Sequence, residues 1–459
     1  SGYDVFFLTG TDEHGQKISI AAENEGLLPE ELADKISQIY KKTWEKLNIS
    51  YTKFIRTTEK QHQEVVKNVF NKLYEKGDIY KGQYQGYYCI HCESYVIPEE
   101  KENPLCPDCK RNVEKISETS YFFKLSAYSE KLLKVIEECE FIKPDFRKKE
   151  ITNFIKEGLY DLCLTRKNVK WGIPCPIDEN YTIYVWFDAL LNYLSGVGYL
   201  YDNNTFEKYW PVDVQLIGKD IMRFHNIIWP AILMSLQLPL PKTIFAHGWW
   251  TMSKEKISKS KGNVISPDDF INEYGVDPFR YFIMREIPFG LDGEYSESAF
   301  KKRYNSDLVN DFGNLLNRTL NLIEKNFNGI IPDSSSEEEI TNLTDEVFEN
   351  YSKKMKEISF SEGIEEIWKL INYLNKYLDT KAPWRQTSEN KDKVIYSVVE
   401  GIKNVSLMLS PIIPETIKRV FQMIGIENKI NKENFSSIKE RIPCGIKTGK
   451  REVLYIRKK

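Results

Sequence analysis

Lys256 and Lys259 stand three apart in the run Lys256-Ile257-Ser258-Lys259-Ser260-Lys261-Gly262-Asn263. Two ammonium groups at that spacing, with Ser and Gly letting the backbone fold close, suit a polyphosphate and so phosphoryl or nucleotidyl transfer. An isolated run of this kind is more often a solvated basic loop, so its surroundings decide its meaning. Four of the eight cysteines form a second chemical pattern, Cys89-x-x-Cys92 and Cys106-x-x-Cys109, with thirteen residues between the pairs. This is zinc-ribbon spacing, in which two tight knuckles close around one tetrahedral ion. A set of four thiolates leaves no open coordination position, so one structural, non-catalytic Zn²⁺ per chain is expected. Cys139, Cys163, Cys175 and Cys444 lack such partners and read as ordinary buried or half-buried thiols.

The elements that must carry these residues alternate first and then turn helical. Val5 to Gly10 is an apolar run ending in Thr-Gly-Thr-Asp (9–12), the pattern of a strand in a parallel sheet with polar groups at its carboxyl end. Two helices should follow it. The second starts after Thr58, whose hydroxyl can cap it with Gln61 three residues on; it carries Val65, Val69 and Leu73 on one face and stops at Gly77-Asp78. Residues 79–156 hold the cysteine knuckles and aromatic-rich strands such as 120–125, so they read as an insertion. Apolar runs return at Ile183 to Phe187, Val214 to Ile217 and Thr243 to Ala246, each followed by polar or aromatic candidates, where a parallel-sheet fold binds its ligand.

From Phe300 the spacing becomes helical, through Leu308, Phe312, Leu315, Leu316, Leu320 and Ile323, then Ile364 to Leu378, then Val394 to Leu409 until Ser410-Pro411. A polar loop is expected at 333–339, and the chain should end in a helix bundle.

At 459 residues the chain is too long for one core and should form about three domains. A hydrophobic fraction of 41% with 29% charged residues fits a globular protein, and no apolar run reaches membrane-spanning length. With neither a span nor a signal peptide in Ser1-Gly2-Tyr3-Asp4, a cytoplasmic protein without membrane partners is expected. The net charge of −3 excludes whole-molecule attraction to nucleic acid, so any such contact must be local.

Taken in order, these parts resemble the methionyl-tRNA synthetases, a family of class I aminoacyl-tRNA synthetases. Lys256-Ile257-Ser258-Lys259-Ser260 is similar to the KMSKS signature, with Ile for Met; Trp186-Phe187-Asp188-Ala189, Gly218-Lys219-Asp220 and the knuckle insertion complete the likeness over nearly the whole chain. The resemblance implies an α/β fold: a Rossmann-type parallel-sheet catalytic domain (1–78 and 157–250) split by a zinc-binding connective insertion (79–156). A KMSKS and stem-contact region (251–300) and an all-α anticodon-binding bundle (301–459) would follow.

The implied reaction is ATP-dependent activation of L-methionine to methionyl-adenylate, with Mg²⁺ accompanying ATP, and transfer to the terminal adenosine of tRNA(Met). Lys256 and Lys259 would be catalytic, stabilising charge on the α-phosphate and pyrophosphate. ATP would also meet Gly218, Asp220, His247, Trp250 and Ser258. Methionine would meet Asp12, Trp186, Ala189, Tyr193, Ile221 and His225, an aromatic and apolar wall suited to a polarizable thioether.

The anticodon would meet Asn314, Arg318 and Trp384 by base-edge contacts and stacking. Read without the resemblance, Asp12 fits a turn or helix cap equally well, the aromatic stripe fits plain core, and Asn314 with Arg318 fits a solvated helix face. Class I synthetases carry a His-x-Gly-His motif that this chain lacks; in this family it lies upstream of the strand corresponding to Val5 to Leu8. The chain as given is therefore expected to be inactive or nearly so, which wild-type ATP–pyrophosphate exchange by a protein starting at Ser1 would refute. A synthetase for isoleucine, leucine, valine or cysteine, or a non-catalytic tRNA-binding protein, are the alternatives. No dimerisation element is evident, so a monomer is expected.

Overall fold

A computed structural model describes residues 2–96, 104–107, 109–167, 169–252, 255–256, 267–385, 388–427, 435–443 and 445–458. The chain divides into two compact units, Asp4–His247 and Gly248–Lys459.

In the first unit, β1 (Leu8–Thr11) is followed by helices α1 (Gln16–Glu25) and α2 (Pro29–Lys46), by β2 (Lys53–Arg56) and by α3 (Lys60–Glu75). β1 and β2 pair in parallel, Leu8 opposite Lys53 through Thr11 opposite Arg56. The strand predicted from Val5 begins only at Leu8, and Val5 and Phe7 are exposed. On α3 the expected face is buried: Val65, Val66, Val69, Phe70 and Leu73 are all at most 2% exposed. Each such side chain contributes about 1.5–3 kcal/mol of burial, and together they seat the helix. Thr58 does not cap α3, contrary to expectation. The helix starts one residue later, after Glu59, because the Thr58 hydroxyl is taken by Glu13.

The next strands, β3 (Ile79–Cys89), β4 (Ser94–Val96) and β5 (Glu114–Phe123), form the antiparallel core of the insertion, with β3 and β5 in register from Ile79–Phe123 to Tyr88–Glu114. Cross-strand rings reinforce it, Tyr80 stacking on Phe122 at 5.6 Å. After α4 (Ser129–Glu138), the short β6 (Ile142–Lys143) joins β10 (Gln215–Gly218) and β11 (Ile244–His247) in a parallel sheet of order β10-β11-β6. Residues 142–143, assigned from sequence to the insertion, thus belong to the sheet shared with β10 and β11. Helix α5 (Asp145–Lys156) leads to β7 (Leu162–Cys163), which extends the insertion sheet alongside β5.

β8 (Thr165–Arg166) and β9 (Thr182–Ile183) pair antiparallel. The run predicted as a strand from Ile183 to Phe187 turns helical at Val185, giving α6 (Val185–Leu190), with α7 (Asn192–Gly196) and α8 (Asn203–Tyr209) behind it. β10 (Gln215–Gly218), α9 (Trp229–Leu236) and β11 (Ile244–His247) complete the unit around a core drawn from residues 65 to 246.

The second unit opens with β12 (Trp250–Met252) and β13 (Glu255–Lys256); β14 (Gly293–Glu294) pairs with β12 after helices α10 (Pro267–Tyr274) and α11 (Val276–Arg285). Helix α12 (Glu297–Arg303) passes through a π-helical stretch, Tyr304–Gly313, into α13 (Asn314–Phe327). The bundle is completed by α14 (Glu338–Lys356), α15 (Phe360–Lys381), α16 (Ser388–Leu409) and α17 (Pro414–Ile424). The three apolar helical patterns seen in the sequence all fall on buried faces; α14 and α17 were not anticipated, and α14 takes up the end of the expected polar loop. Among the described residues no helix is long and apolar enough to cross a membrane.

Candidate active site

In the first unit, the candidate residues lie where β1, β2, β10 and β11 end. Glu13 is 3% exposed and ties two of those ends together. Its carboxylate accepts from Thr11 Oγ1 at 2.7 Å and from Arg56 Nε at 2.7 Å, its backbone N–H donates to Thr57 Oγ1 at 3.0 Å, and its carbonyl accepts from Trp171 Nε1 at 2.6 Å. A buried carboxylate so fully bonded fixes the turn that presents its neighbour Asp12.

Asp12 remains solvent-accessible, yet it lies among packed neighbours. Desolvation and the Asp188 carboxylate raise its pKa to about 6, against the pull of His62 and a hydrogen bond from Asn192. Water reaching the exposed side chain works against that rise.

Behind Asp12 lies a buried network that sequence reasoning missed. Asp188 accepts from His14 Nδ1 at 2.6 Å on one oxygen and from His62 Nε2 at 2.6 Å on the other; His62 Nδ1 lies 2.7 Å from Ser195 Oγ. Burial raises the Asp188 pKa, but the hydrogen bonds from both imidazoles outweigh it and hold the carboxyl below its ordinary range. The Trp-Phe-Asp-Ala motif contains Asp188, but only Trp186 and Ala189 were singled out from it, and His62, wholly buried on α3, carried no local signal.

The aromatic candidates do converge. Trp186 stacks on Phe224 with ring centroids 3.9 Å apart and meets His225 edge-on at 6.5 Å. His225 sits in a π-helical turn, Phe224–Ile228, beyond the Gly218-Lys219-Asp220 segment; such turns often mark functional sites. Its Nδ1 is 3.1 Å from the Ile221 carbonyl, which must accept, so Nδ1 carries the proton and Nε2 accepts from the Tyr193 hydroxyl at 2.8 Å. Desolvation lowers its pKa to about 4, leaving a neutral imidazole at physiological pH.

Ala189 is buried, and its carbonyl accepts from Asn192 Nδ2 at 2.6 Å. Asn192 and Phe224 therefore join the candidates. Burial pushes the Tyr193 hydroxyl well above its ordinary range and the Asp12 charge adds to the rise, so the carboxylate lies near the aromatic wall.

Gly218 and His247 face each other across β10 and β11. The Asp220 carboxylate closes on Gly218, where a Cβ would meet Oδ1 at 2.6 Å. In the second unit Trp250 packs on Phe282 with centroids 5.5 Å apart, so its indole serves the core. Lys256 ends β13, and Ser258 and Lys259 lie outside the described residues.

On the bundle, exposed Asn314 and half-buried Arg318 stand one turn apart on α13. Arg318 is paired with Asp379 on α15, and Trp384, 47% exposed, follows in a 3₁₀ turn, Pro383–Arg385.

The four cysteine sulfurs meet the demands of a metal site. All lie within 4.8 Å of one another, with Cys89–Cys109 at 3.6 Å and Cys92–Cys106 at 3.9 Å. Tetrahedral ligation at about 2.3 Å places sulfurs roughly 3.8 Å apart, so the cluster fits one ion with no position left open. Each pair is followed by a left-handed residue, Glu93 (φ 50°) and Lys110 (φ 57°), which turns the knuckle. Of the remaining thiols Cys163 and Cys175 are buried as expected, Cys139 is exposed, and Cys444 lies outside the described residues.

A split parallel-sheet domain with a cysteine knuckle, a lysine loop and a helical bundle defines a class I aminoacyl-tRNA synthetase. The family model for tRNA synthetases class I (M) matches residues 1–115 and 92–320, and that for the anticodon-binding domain of tRNA ligase matches 337–455. The chain is 49% identical over 437 residues to the methionine–tRNA ligase of Caldanaerobacter subterraneus subsp. tengcongensis, covering 93% of this chain and 68% of that one. It is 44% identical over 449 residues to the methionine–tRNA ligase of Thermotoga maritima, covering 95% and 71%. Among solved structures, Mycobacterium tuberculosis methionyl-tRNA synthetase bound by methionyl-adenylate matches with a TM-score of 0.94 at 35% identity, over 99% of this chain and 92% of that one. The chain belongs to the class I methionyl-tRNA synthetases, the methionine–tRNA ligases.

Proposed function

We propose that the cleft holding Asp12, Trp186, Ala189, Tyr193, Ile221 and His225 takes L-methionine for its activation by ATP. The observation that carries this reading is the juxtaposition of an accessible carboxylate with a neutral aromatic wall. Asp12 pairs with the substrate ammonium by a charge-assisted hydrogen bond. The thioether lies among Trp186, Tyr193 and His225, where ring edges favour sulfur. A purely apolar pocket separates near-isosteres by only about 1–3 kcal/mol, so the polar Tyr193–His225 pair supplies the rest of the selectivity for methionine.

Gly218 lets ATP approach the end of β10, Asp220 accepts from ribose hydroxyls, and His247 lies at the adjoining strand end. Trp250 contributes backbone only, in keeping with its packed indole. The methionine carboxylate, already ionised, attacks the α-phosphorus in line without a protein base. Lys256 and Lys259 neutralise charge that grows on the α-phosphate and on departing pyrophosphate, with Ser258 between them. Mg²⁺ supplies further charge neutralisation when bound with ATP. The 2′-hydroxyl of the terminal adenosine of tRNA(Met) then attacks the adenylate carbonyl, forming the ester as the anhydride C–O bond breaks and AMP leaves with the hydroxyl proton passing to its phosphate. Asn314, Arg318 and Trp384 meet the anticodon, and the four cysteines hold one structural Zn²⁺. We further read the protein as a cytoplasmic monomer.

The test is ATP–pyrophosphate exchange by the full-length enzyme together with methionine binding at equilibrium. Asp12→Asn and Trp186→Ala are each expected to weaken methionine binding about tenfold or more, at nearly constant KM for ATP. Lys259→Ala is expected to slow adenylate formation by roughly 10²–10³-fold while methionine still binds. Wild-type methionine affinity in both pocket variants would refute the pocket, and an unchanged rate in Lys259→Ala would refute the lysine assignment.

A further inference from the structure

The cysteine knuckle is joined to the methionine cleft by hydrogen bonds that metal binding alone does not require. The Trp186 indole N–H donates to the Cys92 carbonyl at 3.4 Å, and the Tyr184 hydroxyl donates to the Glu93 carbonyl at 2.8 Å. The Glu93 side chain accepts from the Lys17 backbone N–H at 3.1 Å, at the first turn of α1. It also closes over Gly15: a Cβ there would meet Glu93 Oε1 at 2.1 Å, and Gly15 holds φ at 112°. Gly15 belongs to the segment that begins with Asp12, whose other anchors are Glu13, His14 and Trp171.

We infer that Glu93 is a positioning residue, through which the cysteine knuckle holds both sides of the methionine cleft in register. Its backbone carbonyl and that of Cys92 hold Tyr184 and Trp186 at the start of α6. Its carboxylate holds the turn between Asp12 and α1 by accepting from a first-turn N–H, where the helix's partial positive charge favours an anion. The left-handed conformation of Glu93 aims carbonyl and carboxylate at two different elements. The single residue after the metal ligand thus reaches the aromatic wall and the ammonium site together.

The inference rests on the reading of Asp12 and Trp186 as methionine contacts, so Asp12→Asn and Trp186→Ala serve as controls. Methionine affinity of the full-length enzyme is measured by equilibrium dialysis without ATP, metal content by atomic emission, and KM values by pyrophosphate exchange. Glu93→Ala is expected to weaken methionine binding about tenfold with one metal ion per chain retained and KM for ATP unchanged. Glu93→Gln keeps an oxygen for the Lys17 N–H and is expected to recover most of that loss. Tyr184→Phe removes one bond without touching Glu93 and is expected to weaken methionine about threefold.

Wild-type affinity in both Glu93→Ala and Tyr184→Phe overturns the inference, provided the controls bind poorly. Equal impairment of Glu93→Ala and Glu93→Gln also overturns it, since the acceptor oxygen would then not matter. Controls that bind methionine normally would remove the pocket reading and this inference with it.

Discussion

Asp12 illustrates how one side chain's charge is set by neighbours far away in sequence. With its pKa raised to about 6, the free enzyme protonates Asp12 as pH falls through that value. The neutral acid cannot pair with an ammonium group, so kcat/KM for methionine is expected to fall about tenfold per unit below pH 6 and to level off above it. An initial-rate series from pH 5 to 8 checks this, and Asp12→Asn should flatten the profile at a low value. A profile that stays level down to pH 5 would show that solvent holds the Asp12 pKa below about 6, and an unchanged fall in Asp12→Asn would exclude Asp12 as its source. His225 does not interfere, since its lowered pKa keeps it neutral over that range. Asp12 and the aromatic set were named from the family resemblance, and the structure brings Asp12, Tyr193, Trp186 and His225 near one another. His14 and His62 were not legible in the sequence, because each gains its role from Asp188, at separations of 174 and 126 residues that no local pattern encodes.

Helices read from the sequence more faithfully than strands did. An apolar stripe such as Val65, Val69 and Leu73 repeats often enough to identify its face, whereas Ile183 to Phe187 is an apolar run too short to tell a strand from a buried helix. The late start of β1 has another cause: Val5 and Phe7 look like core by type, but both are exposed and only Leu8–Thr11 pair with β2. The Thr58 cap failed because an N-cap hydroxyl is also a good partner for a buried carboxylate, and Glu13 was there to take it. Pairing of β1 with β2 depends on Gly10, where a Cβ would meet the Ile55 backbone oxygen at 2.0 Å. Backbone cannot swing aside as a side chain can, so Gly10→Ala is expected to cost about 1–3 kcal/mol and to weaken methionine binding by disturbing the Asp12 turn. Denaturant titration beside equilibrium dialysis would show both effects; an unchanged midpoint would mean that the strands separate without cost.

The molecule as a whole has two large cores, one drawn from residues 65–246 and one from residues 270–455, and no described residue belongs to both. Calorimetry is therefore expected to resolve two transitions. Phe70→Ala, costing about 3–5 kcal/mol, should lower one of them, and Leu374→Ala, costing about 2–5 kcal/mol, the other. A single transition shifted equally by both would show that the cores melt as one.

The pairing of Arg318 with Asp379 bears on how the bundle greets RNA. A free cation binding a phosphate releases condensed counterions, and affinity then falls steeply with salt. On the proposed reading of Arg318 as an anticodon contact, a guanidinium already held at one nitrogen by Asp379 engages a nucleotide with part of its charge neutralised, so fewer counterions are released. With 64 basic and 67 acidic residues, the chain adds no net positive field to such a contact. Under that proposal, what Arg318 contributes is discrimination between bases that repay the loosened carboxylate contact and bases that do not.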